Sequence, residues 1–131
     1  MSLKVKLRRM GGNRAPVVYA DRGRRTALRV EFVRRAFDSD AAMSRALGVD
    51  RSRIARWKSG EAADPANVER LVAIDTAMEL LSGFLDDRSI PKWLAGTNAH
   101  LGNRRPIDVL TNGRLSEVVA AIEAEKSGAY A

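Results

Sequence analysis

Between Met43 and Trp57 the chain carries a pattern that leaves its fold little freedom. Met43 and Leu47 stand one helical turn apart, Gly48 follows at once, and Ile54 and Trp57 come three apart a few residues later. Residues three and four apart share a helix face, so these four side chains fall on the inner sides of two short helices. Gly48 sits where the first helix has to stop, because glycine takes left-handed backbone without the penalty of a Cβ. Ser44 supplies the small side chain that two helices crossing at roughly 90 to 120° need, and Val49 is expected to be buried after the corner. Ser39 is placed to cap a helix ending at Leu47, and Asp50 to cap another over about 51 to 58, ended by Gly60. Together these positions predict a helix-turn-helix over residues 39 to 60.

Fixing the inward positions also fixes the outward ones. The second helix then shows Arg51, Ser52, Arg53, Arg56 and Lys58 to solvent. The N-terminal part of such a helix enters the major groove of double-stranded DNA, where arginine bonds guanine O6 and N7 together and serine serves base or phosphate. Arg51, Ser52 and Arg53 are therefore the candidate base readers, and Arg56 and Lys58 the candidate phosphate contacts. Any one of these arginines alone would read as solvated surface; the row of them is what points to DNA. Trp57 shares the register of Ile54 and belongs to the core rather than to a base stack. Asp40 favours the start of the first helix through its dipole.

The charge distribution points the same way. The chain holds 23 Lys and Arg against 16 acids, a net +7. Residues 1 to 26 contain eight of the basic side chains and a single acid, Asp21, so this segment alone carries +7. Residues 27 to 60 are net +4 and residues 61 to 131 net −4, which directs a polyanion to the front half. Gly11, Gly12, Pro16 and Gly23 punctuate the first segment, which is expected to be an irregular basic arm. Its Arg22, Arg24 and Arg25 are placed to grip phosphates or reach a flanking minor groove, the plainer alternative being a solubilising tail.

Other classes of function are closed off. There is no cysteine and only one histidine, His100, so disulfides, thiolate chemistry and multi-histidine metal sites are excluded. No Ser/His/Asp set, phosphate loop or metal cluster is present, so the expectation is a protein that is not an enzyme and uses no cofactor or metal. Apolar stretches are too short for a membrane span or signal peptide, and the absence of cysteine fits a reducing cytoplasm.

The whole reads as all-α, in one compact body of 131 residues. Residues 1 to 26 form the arm, 27 to 63 the DNA-binding region and 64 to 131 a second helical region. A first helix is expected over about 27 to 37. Asp64-Pro65 opens the longest helix, to about Leu85. Leu71, Ile74, Met78, Leu81 and Leu85 form one stripe on it, with Ala77, Leu80 and Phe84 beside them. One face cannot absorb both stripes: either the chain packs the helix on two sides, or the second stripe is a dimer seam. Short helices follow over about 90 to 95, 106 to 111 and 115 to 126, the last with Val118, Val119 and Ile122 inward.

Residues 39 to 60, ending Ile54-Ala55-Arg56-Trp57-Lys58-Ser59-Gly60, resemble the DNA-binding helices of Xre-type, lambda-repressor-like regulators. Trp93-Leu94, Asn98, Leu101-Gly102, Arg104, Pro106-Ile107-Asp108-Val109-Leu110, Gly113 and Val118 resemble the toxin-binding domain of the MbcA/ParS/Xre antitoxins. The chain departs from that pattern at Asn98-Ala99-His100 before Leu101-Gly102-Asn103, and at Arg105 in place of a frequent threonine. The resemblance implies an antitoxin that binds and occludes a RES-domain toxin, an enzyme that degrades NAD, and that represses its own operon by binding operator DNA. It further implies that the C-terminal segment, Lys126, Ser127, Gly128, Tyr130 and Ala131, helps to block the toxin's active site. Tyr130 after a flexible Ser127-Gly128 suits an anchor in a partner's pocket, although the residues alone favour a frayed terminus. A homodimer or a toxin–antitoxin hetero-oligomer is expected. The competing reading is a stand-alone dimeric helix-turn-helix regulator whose second region serves dimerisation or small-molecule sensing.

Overall fold

The computed structural model describes the backbone of residues 15 to 129 and the side chains of residues 22 to 128. These residues form seven α-helices and no strand, the sole bridge between extended residues being Asn98 with Arg104.

Helix α1 spans Ala15–Arg34 and begins well before the helix expected from about residue 27. Residues 15 to 26 are thus helical, which corrects the expectation of an arm irregular throughout. Pro16 does not break α1, because it lies in the first turn, where a missing N–H leaves no hydrogen bond unmade. Gly23 is needed for close approach rather than for a turn. A Cβ there would overlap the carbonyl oxygen of Gly60. At its other end α1 stops at Arg34 instead of about 37, and Ala36 and Phe37 turn back with bonds to Val33 and Arg34. The Arg34 guanidinium donates to the Phe37 carbonyl at 2.8 Å and holds this corner.

Helix α2, Asp40–Leu47, begins as expected, with the Ser39 hydroxyl accepting from the Ala42 N–H at 3.0 Å. It ends at Gly48, which has φ 68°. The Gly48 N–H bonds the Arg45 carbonyl and the Val49 N–H bonds the Ser44 carbonyl, the paired closure of a Schellman motif. Helix α3, Arg51–Lys58, follows at once. Asp50 occupies the cap position, but its side chain makes no capping bond.

Met43, Leu47, Ile54 and Trp57 are all buried, at 0%, 3%, 0% and 1% exposure, so the inward register is as predicted. Ser44 is buried beside them and its hydroxyl donates to the Ala41 carbonyl at 2.9 Å, so this buried donor is paired. Val49 is only half-buried.

Helix α4, Pro65–Leu81, packs against α1, and against two later helices, α6 (Pro106–Thr111) and α7 (Leu115–Ala129). It is shorter than expected, because Ser82 and Gly83 are poor helix formers and the chain leaves the axis there. Leu71, Ala73, Ile74, Ala77, Met78 and Leu81 are buried, so its own chain covers more than one side of α4. Val72 and Leu80 remain more than one-third exposed.

Between α4 and α6 lies α5, Ser89–Ala95, followed by a 3₁₀ turn at Ala99–Leu101. Buried Asn98 organises this turn: its side-chain oxygen accepts from the His100 N–H, and its backbone bonds Asn103 and Arg104. Helix α7 continues past the expected residue 126 to Ala129, so Ser127 and Gly128 are helical rather than a flexible link. No proline interrupts the run, and extending an existing helix is far easier than starting one. Val118, Ala121 and Ile122 bury its inner side, while Val119 is half-buried. One continuous apolar core joins α1 to α7.

Candidate nucleic-acid interface

The buried pair Ile54 and Trp57 turns the remaining side chains of α3 outward. Arg51, Ser52, Arg56 and Lys58 are exposed and Arg53 is half-exposed. Most of these cations have partners. Arg53 lies 3.9 Å from Asp64, Arg56 lies 3.3 Å from Glu61, and Lys58 lies 3.0 Å from Asp40. Arg51 has no ion pair among the described residues. Asp40 also accepts from Arg34 at 2.6 Å, so one carboxylate ties the end of α1, the start of α2 and the end of α3 together. Hydrogen bonds from Arg34 and then Lys58 hold the Asp40 carboxyl below the usual carboxylate range. Asp40 thus does more than favour the start of α2. Nothing in the local pattern signals a contact between residues 18 apart in sequence.

Arg22, Arg24 and Arg25 are exposed, but they project from α1 and not from an irregular arm. The contact of Gly23 with Gly60 places its two neighbours, Arg22 and Arg24, beside the C-terminal end of α3. Arg22 and Arg25 line a cleft with Arg29, Ala63 and Pro65. Helix α1 and the residues that follow α3 are therefore in contact beside this basic group.

The second group of predicted residues lies on α7. Lys126, Ser127 and Gly128 are exposed along its last turn, while Tyr130 and Ala131 lie outside the described residues. Near this end the Trp93 indole N–H donates to Glu125 at 3.4 Å. At the other end of α7, Glu117 pairs with Arg104 at 2.5 Å and Arg114 at 3.2 Å, and bonds from these two arginines hold its carboxyl low. Arg105, one of the positions at which the chain departs from the antitoxin pattern, is pinned by both oxygens of Asp108 at 2.9 Å. Among the described residues no group of His, Cys, Asp and Glu is placed to hold a metal, and no helix is long and apolar enough to cross a membrane.

The chain is similar in sequence to mycobacterial cidal antitoxins. It is 34% identical over 74 residues to the probable mycobacterial cidal antitoxin Rv3188 of Mycobacterium tuberculosis, covering 56% of this chain and 64% of that one. It is 27% identical over 78 residues to the mycobacterial cidal antitoxin MbcA of Mycobacterium bovis, covering 59% of this chain and 69% of that one. The chain thus spans less than two thirds of the length of the first of these relatives. No protein-family model matches the chain, and no solved structure does.

Proposed function

We propose that this protein is the antitoxin of a toxin–antitoxin pair, which neutralises a RES-type, NAD-degrading toxin by covering its active site and represses its own operon through a helix-turn-helix formed by α2 and α3. The observation that carries the antitoxin reading is the similarity to two proteins named as antitoxins, at 34% and 27% identity. The RES identity of the toxin follows from the resemblance of residues 93 to 118 to the toxin-binding domain of that family. Exposed Lys126, Ser127 and Gly128, with Tyr130 and Ala131 after them, are the proposed toxin contacts.

The DNA-binding reading is supported by the outward row Arg51, Ser52, Arg53, Arg56 and Lys58 opposite buried Ile54 and Trp57, and by the net positive charge of residues 1 to 60. In this reading Arg51 and Arg53 read bases, and Arg56, Lys58, Arg22, Arg24 and Arg25 bind phosphates.

Co-expression with the product of the neighbouring gene tests the first part. The two proteins are expected to co-purify, and cellular NAD is expected to be preserved when both are made but lost with the partner alone. Purification without a partner, with NAD unaffected by this chain, overturns it. Binding to the promoter DNA upstream of the pair tests the second part.

A further inference from the structure

Three cations of α3 are held by carboxylates that lie outside that helix. Asp40 comes from the start of α2, Glu61 from the loop after α3, and Asp64 from the residue before α4. Their partners are Lys58, Arg56 and Arg53, at 3.0, 3.3 and 3.9 Å. All six side chains are 40% to 50% exposed, so the pairs are bathed in water and exchange readily with other ions. A phosphate oxygen competes for the N–H groups of Arg56 and Lys58 with the same charge-assisted hydrogen bond, and for Arg53 through charge alone, since Asp64 lies too far from it for a hydrogen bond. It also approaches three fixed negative charges as it does so, and like charges brought together suppress association.

The geometry points to Asp40, Glu61 and Asp64 as internal competitors for DNA: they lower the affinity of α3 for duplex of arbitrary sequence, leaving base contacts from Arg51, and from Arg53 once it leaves Asp64, to decide where the protein stays. This rests on the reading of α3 as the DNA-contacting helix. Asp40 is the most firmly placed of the three, because the second bond from Arg34 at 2.6 Å keeps it in position when Lys58 turns away. Both carboxyls also lie below the ordinary value, Asp40 through Arg34 and Lys58 and Asp64 chiefly through the Asn67 side chain.

Fluorescence anisotropy with a short labelled duplex of arbitrary sequence, at about 100 mM salt where phosphate contacts still dominate, measures the effect. The variant Asp40→Asn, Glu61→Gln, Asp64→Asn is compared with wild type and with a control of equal net charge, Asp87→Asn, Glu123→Gln, Glu125→Gln, in the second half of the chain. The first variant is expected to bind about ten-fold more tightly than wild type, and the control to stay within about two-fold. Equal affinity of the two variants overturns the proposal while the DNA reading stands. Failure of wild type and both variants to bind at any salt concentration overturns both. Glu61→Gln alone alters no helix and tests the same release at Arg56 should the triple variant not fold; about two-fold tighter binding supports the proposal, and unchanged binding overturns it.

Discussion

Gly23 and Gly48 look alike in the sequence and serve different ends. Gly48 holds φ 68°, and nothing lies within 4 Å of where its Cβ would stand, so its demand is conformational. Gly23 has helical backbone and no room: a methyl group would meet the Gly60 carbonyl, which is main chain and cannot swing aside. Replacing Gly23 with Ala improves helix propensity by up to about 1 kcal/mol. The overlap with fixed backbone costs more, typically about 1 to 3 kcal/mol for an overpacked contact. Gly23→Ala is therefore expected to destabilise the protein by about 1 to 2 kcal/mol. Urea unfolding followed by circular dichroism measures this, and an unchanged or higher midpoint would show that α1 and α3 do not meet there.

At the scale of helices, the turn and its register are legible because they depend on neighbours in sequence: a cap at Ser39, a glycine at 48 and apolar side chains three or four apart. These are all encoded within one or two turns. The early start of α1 is not legible in the same way. Pro16 and Gly23 carry the composition of a loop, and only their places, one in a first turn and one at a helix crossing, make them compatible with a helix. The partners of Arg56, Lys58 and Arg53 are hidden for a similar reason, since Lys58 and Asp40 are brought together only when α2 and α3 fold against each other. The helical placement of Arg22, Arg24 and Arg25 changes how their contribution is tested. Deleting residues 1 to 25 would remove the part of α1 that packs at Gly60, so charge removal is the better probe. The variant Arg22→Gln, Arg24→Gln, Arg25→Gln is expected to reduce the slope of log affinity against log salt by about 2 to 3, at about 0.9 for each phosphate that is no longer neutralised. Anisotropy titrations between about 50 and 200 mM salt read this slope; no change would take these residues out of the interface.

For the whole molecule, carboxylates that gain hydrogen-bond or ion-pair partners on folding predict how stability varies with pH. Asp40, Asp64, Asp86 and Glu117 all have carboxyls held below their ordinary values of 3.8 for Asp and 4.5 for Glu, by Arg34 and Lys58, by Asn67, by Ser89, and by Arg104 and Arg114 in turn. A lowered folded-state pKa means that the ionised form is favoured by folding, so its contribution is complete above the ordinary value and disappears as pH falls through the lowered one. Glu79 has the opposite sign. The side chain of Asp75 raises its pKa, so its small penalty at neutral pH is relieved on acidification. With four groups against one, the melting temperature is expected to be level from pH 7 to about 5 and to fall below about pH 4.5. Thermal melts across that range check it, and a melting temperature that rises on acidification would mean that the Asp75–Glu79 contact outweighs the four lowered carboxylates.

Helix α7 has its inner side anchored by Val118, Ala121 and Ile122 and runs without a break through Ser127 and Gly128. Lys126 and Ser127 are thus presented on a stiff strut that advances about 1.5 Å with every residue. A protein that grips this stretch has no loose tether to coil before docking, so less conformational freedom is lost on association and the direction of approach is set by the core itself.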